Sequence, residues 1–176
     1  ERHVSLVSGT SVCKALRERG HKAIFVDMFF GLEDYEGSLE DAFDAPDGFC
    51  GSVAIETQTP DIKAVIASRK YKSPSRLGKN VLEICALADC VFLGLHGADG
   101  EDGKIQAALD LLGVPYTGSS TLGSAMAMDK AVAKRIMESA GVLTPKWREI
   151  TYTAADIPAL CEELPLPCVI KAVNGG

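Results

Sequence analysis

The sequence predicts an α/β fold with a parallel sheet, laid out as two successive units over residues 1–120 and 121–176. Three observations lead there. Short apolar runs at Ala23–Val26, Cys90–Leu95, Val114–Thr117 and Cys168–Val173 alternate with stretches of helical periodicity. A segment with three glycines in eight residues, His96–Gly103, joins one such run to a helical stretch, giving the strand, loop, helix, strand rhythm of a βαβ unit. Glycines at 20, 113 and 141 each follow a helical pattern, where a left-handed residue ends a helix at little cost.

The elements follow in order. Val4, Val7, Val12, Ala15 and Leu16 recur near the helical period, so a helix is expected over Val4–Arg19, then a strand at Ala23–Val26. Residues 29–80 carry the weakest pattern: acidic residues gather at Glu33, Asp34, Glu36, Glu40 and Asp41, a polar loop lies at Ser73–Arg76, and Ile62–Ser68 fits a short helix or a short strand. A helix at Val81–Leu87 leads into the strand Cys90–Leu95. Beyond the glycine-rich segment come a helix over Lys104–Leu112 and a strand at Val114–Thr117. The small residues of Gly118–Gly123 form a hinge. Ser124 is the expected N-cap of one helix over Ala125–Ala140, with Met128, Val132, Ile136 and Ala140 as its buried stripe. A strand at Lys146–Thr151, a helix around Ala154–Glu163 and a strand at Cys168–Val173 complete the pattern.

Composition narrows the class of partner. The chain has 176 residues, 47% hydrophobic and 24% charged, with a formal charge of −6. That charge disfavours nucleic acid and anionic membrane surfaces, and leaves a small anionic ligand only where lysines supply a local positive field. No apolar run approaches the ~20 residues of a membrane span, and the start of the chain lacks a secretory apolar region. Six cysteines (Cys13, Cys50, Cys85, Cys90, Cys161, Cys168) occur without a C-x-x-C pair, and several adjoin apolar runs, which predicts buried free thiols in the reducing cytoplasm rather than disulfides or a metal site. Glu1 already lies in a helical pattern and Asn174-Gly175-Gly176 follows an apolar run directly, so the expectation is a portion of a longer polypeptide.

Four places carry candidate chemistry. His96 falls at the carboxyl end of an apolar run, where parallel sheets bind ligands. The glycines after it let backbone approach a ligand, and amides at a helix start favour an anion; the same residues also suit a plain tight turn with Asp102 capping the helix. Lys130 lies about 200° around the helical wheel from both Met128 and Val132 and so faces away from the stripe, as a solvated lysine does. Lys171 interrupts Val169–Val173 and precedes Asn-Gly-Gly, which suits a cation reaching into a cleft under a loop, or an edge-strand charge. Glu1 at a helix start favours the helix dipole or binds an ammonium group.

Together these segments resemble the D-alanine–D-alanine ligase family. Leu95-His96-Gly97-Ala98-Asp99-Gly100-Glu101-Asp102-Gly103-Lys104-Ile105-Gln106-Ala107 fits the family's H-G-x-x-G-E-D-G-x-[aliphatic]-Q-[small] signature at every specified position. Gly113–Ser119, Ala127-Met128-Asp129-Lys130 and Val169-Ile170-Lys171 with Asn174-Gly175-Gly176 follow in the family's order and spacing, and Glu1–Leu6 is similar to the segment after its first glycine-rich turn. The likeness is good over residues 1–28 and 81–176 and poor between them.

The resemblance implies a Rossmann-like pre-ATP-grasp domain at 1–120, lacking its first strand, and the start of an ATP-grasp central domain at 121–176. It implies an enzyme that phosphorylates the carboxylate of one D-alanine with ATP and Mg2+, then joins the acyl phosphate to the amine of a second D-alanine for peptidoglycan, the bacterial cell-wall polymer. Glu1 would hold the ammonium group of the first substrate, with His96 and Gly97 by its carboxylate. Lys130 and Lys171 would bind ATP, Gly175 and Gly176 would begin the loop over its phosphates, and the metal ligands would lie beyond residue 176, so the chain alone is expected to be inactive. Family membership also implies a homodimer. Two other readings stand beside this one: a D-alanine–D-lactate or D-alanine–D-serine ligase of the same family, whose selecting loop would lie past residue 176, and a non-catalytic α/β ligand-binding module.

Overall fold

A computed structural model describes residues 1–51 and 61–175. Helix α1 spans Arg2–Glu18, α2 Ile62–Ser68, α3 Val81–Ala86, α4 Lys104–Leu112, α5 Thr121–Met128, α6 Lys130–Ser139 and α7 Ile157–Glu163, with single 3-10 turns at Asp41–Asp44 and Ala154–Asp156. The ambiguous segment at 62–68 is thus a helix. Asp61 decides it, accepting from the amides of Lys63 (2.9 Å) and Ala64 (3.1 Å), which a strand would leave to a neighbour. Residues 52–60 of the weakly patterned stretch 29–80 lie outside the described residues, as does Gly176.

The helices stand where the alternation expected them, but the sheet does not. Among the described residues no strand forms; three isolated bridges remain, Gly31 with Lys79 and Val91 with Tyr116 in parallel, and Asp129 with Asn174 antiparallel. A strand exists only through a partner's backbone. At Ala23–Val26, Lys146–Thr151 and Cys168–Val173, where strands are expected, the described residues form no ladder. The Val91 bridge keeps the expected βαβ direction: the Val91 amide donates to Pro115 (2.8 Å) and the Thr117 amide to Val91 (3.0 Å), with α4 as the crossover.

One core cluster gathers Ile105 and Leu109 of α4 with Val114, and packs Val91, Leu93 and Leu95 against them. Those three alternate with an exposed Phe92, so the side-chain period of a strand survives without the ladder. A second cluster, Leu32, Ala42 and Ile84, is built from residues 24–49 and α3. The poorly patterned middle of the chain is therefore core. Its apolar residues are spaced by turns, and neither helical nor strand periodicity reveals them.

Two helices also depart from expectation. The buried face of α1 is Thr10 and Cys13, while Val4 is exposed. Burial, with the neighbouring Cys50 thiol, pushes the Cys13 thiol up to about 12, leaving it inert. Cys90, Cys161 and Cys168 are free as expected but exposed rather than buried. The single helix expected over Ala125–Ala140 is two. Asp129 takes an extended conformation and accepts from the amides of Ala131 (3.0 Å) and Val132 (2.9 Å), so it ends α5 and caps α6. The N-cap of α5 is Ser120; Ser124 is buried inside it, and Ile136 of the expected stripe is exposed.

Candidate functional site

The start of α1 meets the loop at 96–97, about ninety residues away in sequence. Glycines make the approach possible. A Cβ at Gly94 would lie 3.2 Å from the Cα of Gly9, so helix and loop touch backbone to backbone. Gly97 is buried at φ +80°, and a Cβ there would stand 2.5 Å from the carboxyl carbon of Glu1. The Glu1 carboxylate rests on the face of Gly97, a place no other residue type leaves open. Two segments far apart along the chain, Glu1 and His96-Gly97, thus come together.

Two serines on α1 complete the junction, and the residue-by-residue reading did not single them out. Ser5 accepts the His96 amide (2.9 Å) and donates to the Glu1 carbonyl (3.2 Å); Ser8 Oγ lies 3.3 Å from His96 Nε2. Their signal was present: Glu1, Ser5 and Ser8 sit at i, i+4 and i+7, one polar face of a helix. Arg2, next to Glu1, pairs with both oxygens of Asp27, whose Oδ1 also accepts the Phe29 amide (2.8 Å). That clamp sets where α1 begins.

The glycine-rich loop is closed by its own side chains. Glu101 accepts the Gly97 amide (2.6 Å), so that donor serves an internal carboxylate, while Gln106 reaches back from α4 to the Gly100 carbonyl (2.8 Å). Gly103 at φ +89° is the N-cap of α4, and Asp102 reaches the Lys104 amide (3.3 Å) from one position earlier. The turn reading of this loop therefore describes its backbone, and Gly97 within it faces Glu1. Asp99, with φ +67°, pairs with Arg76 and with Lys104 (3.2 Å). The hydrogen bond from Arg76 holds the Asp99 carboxyl below the usual carboxylate range against the opposing effect of burial. For Asp102, burial opposes ionisation, but the hydrogen bonds from Lys104 and the neighbouring backbone amides win and lower its pKa as well. Through Arg76 the middle of the chain anchors the loop.

A second meeting point joins α6 to the end of the described chain. Lys130 donates from Nζ to the Gly175 carbonyl (2.5 Å) and from its amide to Val173 (3.0 Å), beside the Asp129–Asn174 bridge. Lys130 is therefore half-buried at a helix start and not a solvated lysine on a continuous helix. Lys171 is exposed, and the structure does not bring it to Lys130 through any hydrogen bond or ion pair among the described residues. Among those residues no group of three or more His, Cys, Asp or Glu could hold a metal ion, and no helix is long and apolar enough to cross a membrane.

Known proteins resemble this chain over its full length. The family model described as the D-ala D-ala ligase N-terminus matches residues 1–119. A D-alanine–D-alanine ligase of Pediococcus pentosaceus is 41% identical across 100% of this chain, which covers 50% of that protein. The corresponding ligase of Lacticaseibacillus casei is 39% identical across 100% of the chain, covering 48% of its own length, and that of Moorella thermoacetica is 33% identical, with 44% covered. The chain spans about half the length of the curated relatives it matches.

Proposed function

This chain belongs to the D-alanine–D-alanine ligase family, and from that premise we propose that it supplies the first-substrate site and the opening of the ATP site of a ligase joining two D-alanines for peptidoglycan. The observation that carries the reading is the junction of Glu1, His96 and Gly97. A carboxylate against Gly97 and an imidazole beside Ser8 on the same helix face offer partners for the two ends of a small amino acid: Glu1 for the ammonium group, His96 for the carboxylate. Glycine at 97 gives the room that the Glu1 carboxylate needs close to backbone.

ATP supplies the phosphoryl group that activates the carboxylate of the first D-alanine toward the amine of the second. Residues suited to the nucleotide are Lys130, held at the Gly175 carbonyl, and Lys171, with Gly175 and Gly176 as backbone that can close on phosphates. Lysine charge at that place would stabilise negative charge growing on the transferred group. No residue of this chain is assigned to Mg2+. An ATP-consuming ligase works where ATP is made, which favours the cytoplasm. The division into units at about residue 120 is proposed with it, supported by the end of the family match at residue 119 and by the parallel Val91–Tyr116 bridge just before it.

The test is kinetic. In the full-length ligase, Glu1→Gln raises KM for the first D-alanine at least tenfold, and Lys171→Met lowers kcat by a similar factor or more while circular dichroism stays unchanged. Unaltered D-alanine kinetics in Glu1→Gln would remove the site from the reaction.

A further inference from the structure

The junction holds more than the two groups that would touch substrate. We infer that Ser5 and Ser8 are positioning residues for the first substrate: Ser5 sets the His96 backbone over Glu1, and Ser8 fixes the His96 imidazole. The inference rests on the assignment of Glu1 and His96 to that substrate.

Hydroxyl bookkeeping carries the case. A serine has one proton to donate and lone pairs to accept. Ser5 gives its proton to the Glu1 carbonyl (3.2 Å) and accepts the His96 amide (2.9 Å), so one side chain ties both site residues to the first turn of α1. Serines within or at the ends of helices commonly return their proton to a carbonyl one turn back; Ser68 and Ser139 do so here, to Val65 (2.9 Å) and Ile136 (2.8 Å). Ser8 makes no such bond among the described residues. The partner within its reach is His96 Nε2 at 3.3 Å; with Ser8 as the donor, the imidazole carries its own proton on Nδ1. His96 is exposed at the end of a loop, where an unheld ring would sample several rotamers. Gly9 and Gly94 bring the helix close enough for Ser8 to prevent this. Preorganised geometry of this kind acts on binding and orientation, and a displacement of about 1 Å can cost on the order of 100-fold.

The experiment uses the full-length ligase with ¹⁵N-labelled imidazoles. In the unsubstituted protein the His96 signals show the proton on Nδ1, with Nε2 accepting. Ser8→Ala returns His96 to the mixed pattern of a free imidazole and raises KM for the first D-alanine by on the order of tenfold, with kcat changed far less. Ser8→Thr, which keeps the hydroxyl, recovers most of both. Ser5→Ala raises the same KM without changing which nitrogen carries the proton. A free-imidazole pattern in the unsubstituted protein, or a Ser8→Ala enzyme with unchanged KM, overturns the inference. The Glu1→Gln enzyme separates the two failures: if its KM rises while Ser8→Ala is silent, only the positioning role falls, and if Glu1→Gln is itself silent, the substrate site falls with it.

Discussion

Leu109 and Leu143 are the same residue type on either side of residue 120, one 0% exposed and the other 99%. The contrast extends to their surroundings. Before residue 120, α4 closes over Val91, Leu93 and Leu95, and a backbone bridge joins Val91 to Tyr116 across it. After residue 120, Ser124 and Ala131 are the buried residues, while Leu166, Val169 and Ile170 stand in solvent. Both regions have the apolar runs of an α/β protein, and the first buries far more of them. An apolar run is thus a capacity for burial, and the neighbouring segment decides whether it is used.

The sharpest way to break this comparison is to remove the same side-chain atoms on both sides. Leu109→Ala leaves a cavity in the α4 cluster and is expected to cost about 2–5 kcal/mol in denaturant unfolding. Leu143→Ala removes atoms that touch little and stays within about 0.5 kcal/mol of the parent. Equal losses at the two positions would mean that the second region is packed as tightly as the first.

A smaller effect tests the site directly. Gly97→Ala places a methyl group against the Glu1 carboxylate and forces a left-handed backbone on alanine. The backbone alone costs about 1–2 kcal/mol, and Glu1 must move. Stability measured by denaturant should fall by that order, and KM for the first D-alanine should rise together with it. A stable Gly97→Ala enzyme with unaltered KM would show that the Glu1 carboxylate has other room.

These contrasts also explain how much could be read from residues alone. Helix α4 was legible to its ends, because a periodic apolar stripe lies between Gly103 and Gly113. The juxtaposition of Glu1, His96 and Gly97 came from the motif series, since nothing local to Glu1 points across ninety residues. Asp129 was misread because Met128 and Val132 sustain a helical period through it; the competition of its side chain for the next amides is a local effect that periodicity averages away. The core role of residues 24–49 was illegible for a different reason. Ala42, Phe43 and Phe49 lie in turns, so no repeat marks their burial. Ser5 and Ser8 were legible in principle, as one face with Glu1, but serine on a helix is ordinary and its partner lies on another segment.

The smallest expected effect concerns the pin between the poorly patterned middle and the glycine-rich loop. Arg76 pairs with Asp99 and holds its carboxyl below the ordinary value, chiefly by a direct hydrogen bond. A carboxyl whose pKa is lowered in the folded state contributes stability above its unfolded value, ~3.9, and that contribution is lost as pH falls through the lowered folded value. Arg76→Ala should therefore lower the melting temperature slightly at pH 7. The difference from the parent should persist down to about pH 4 and shrink below it, as Asp99 takes up its proton in both proteins. Because the Arg76 side chain is 71% exposed, added salt should shrink the pH 7 difference too. A gap between Arg76→Ala and the parent that stays constant from pH 7 to pH 2.5 would show that Arg76 acts through the carbon stem of its side chain, which lines one cavity with Leu77 and Met28, and that charge does not hold the loop.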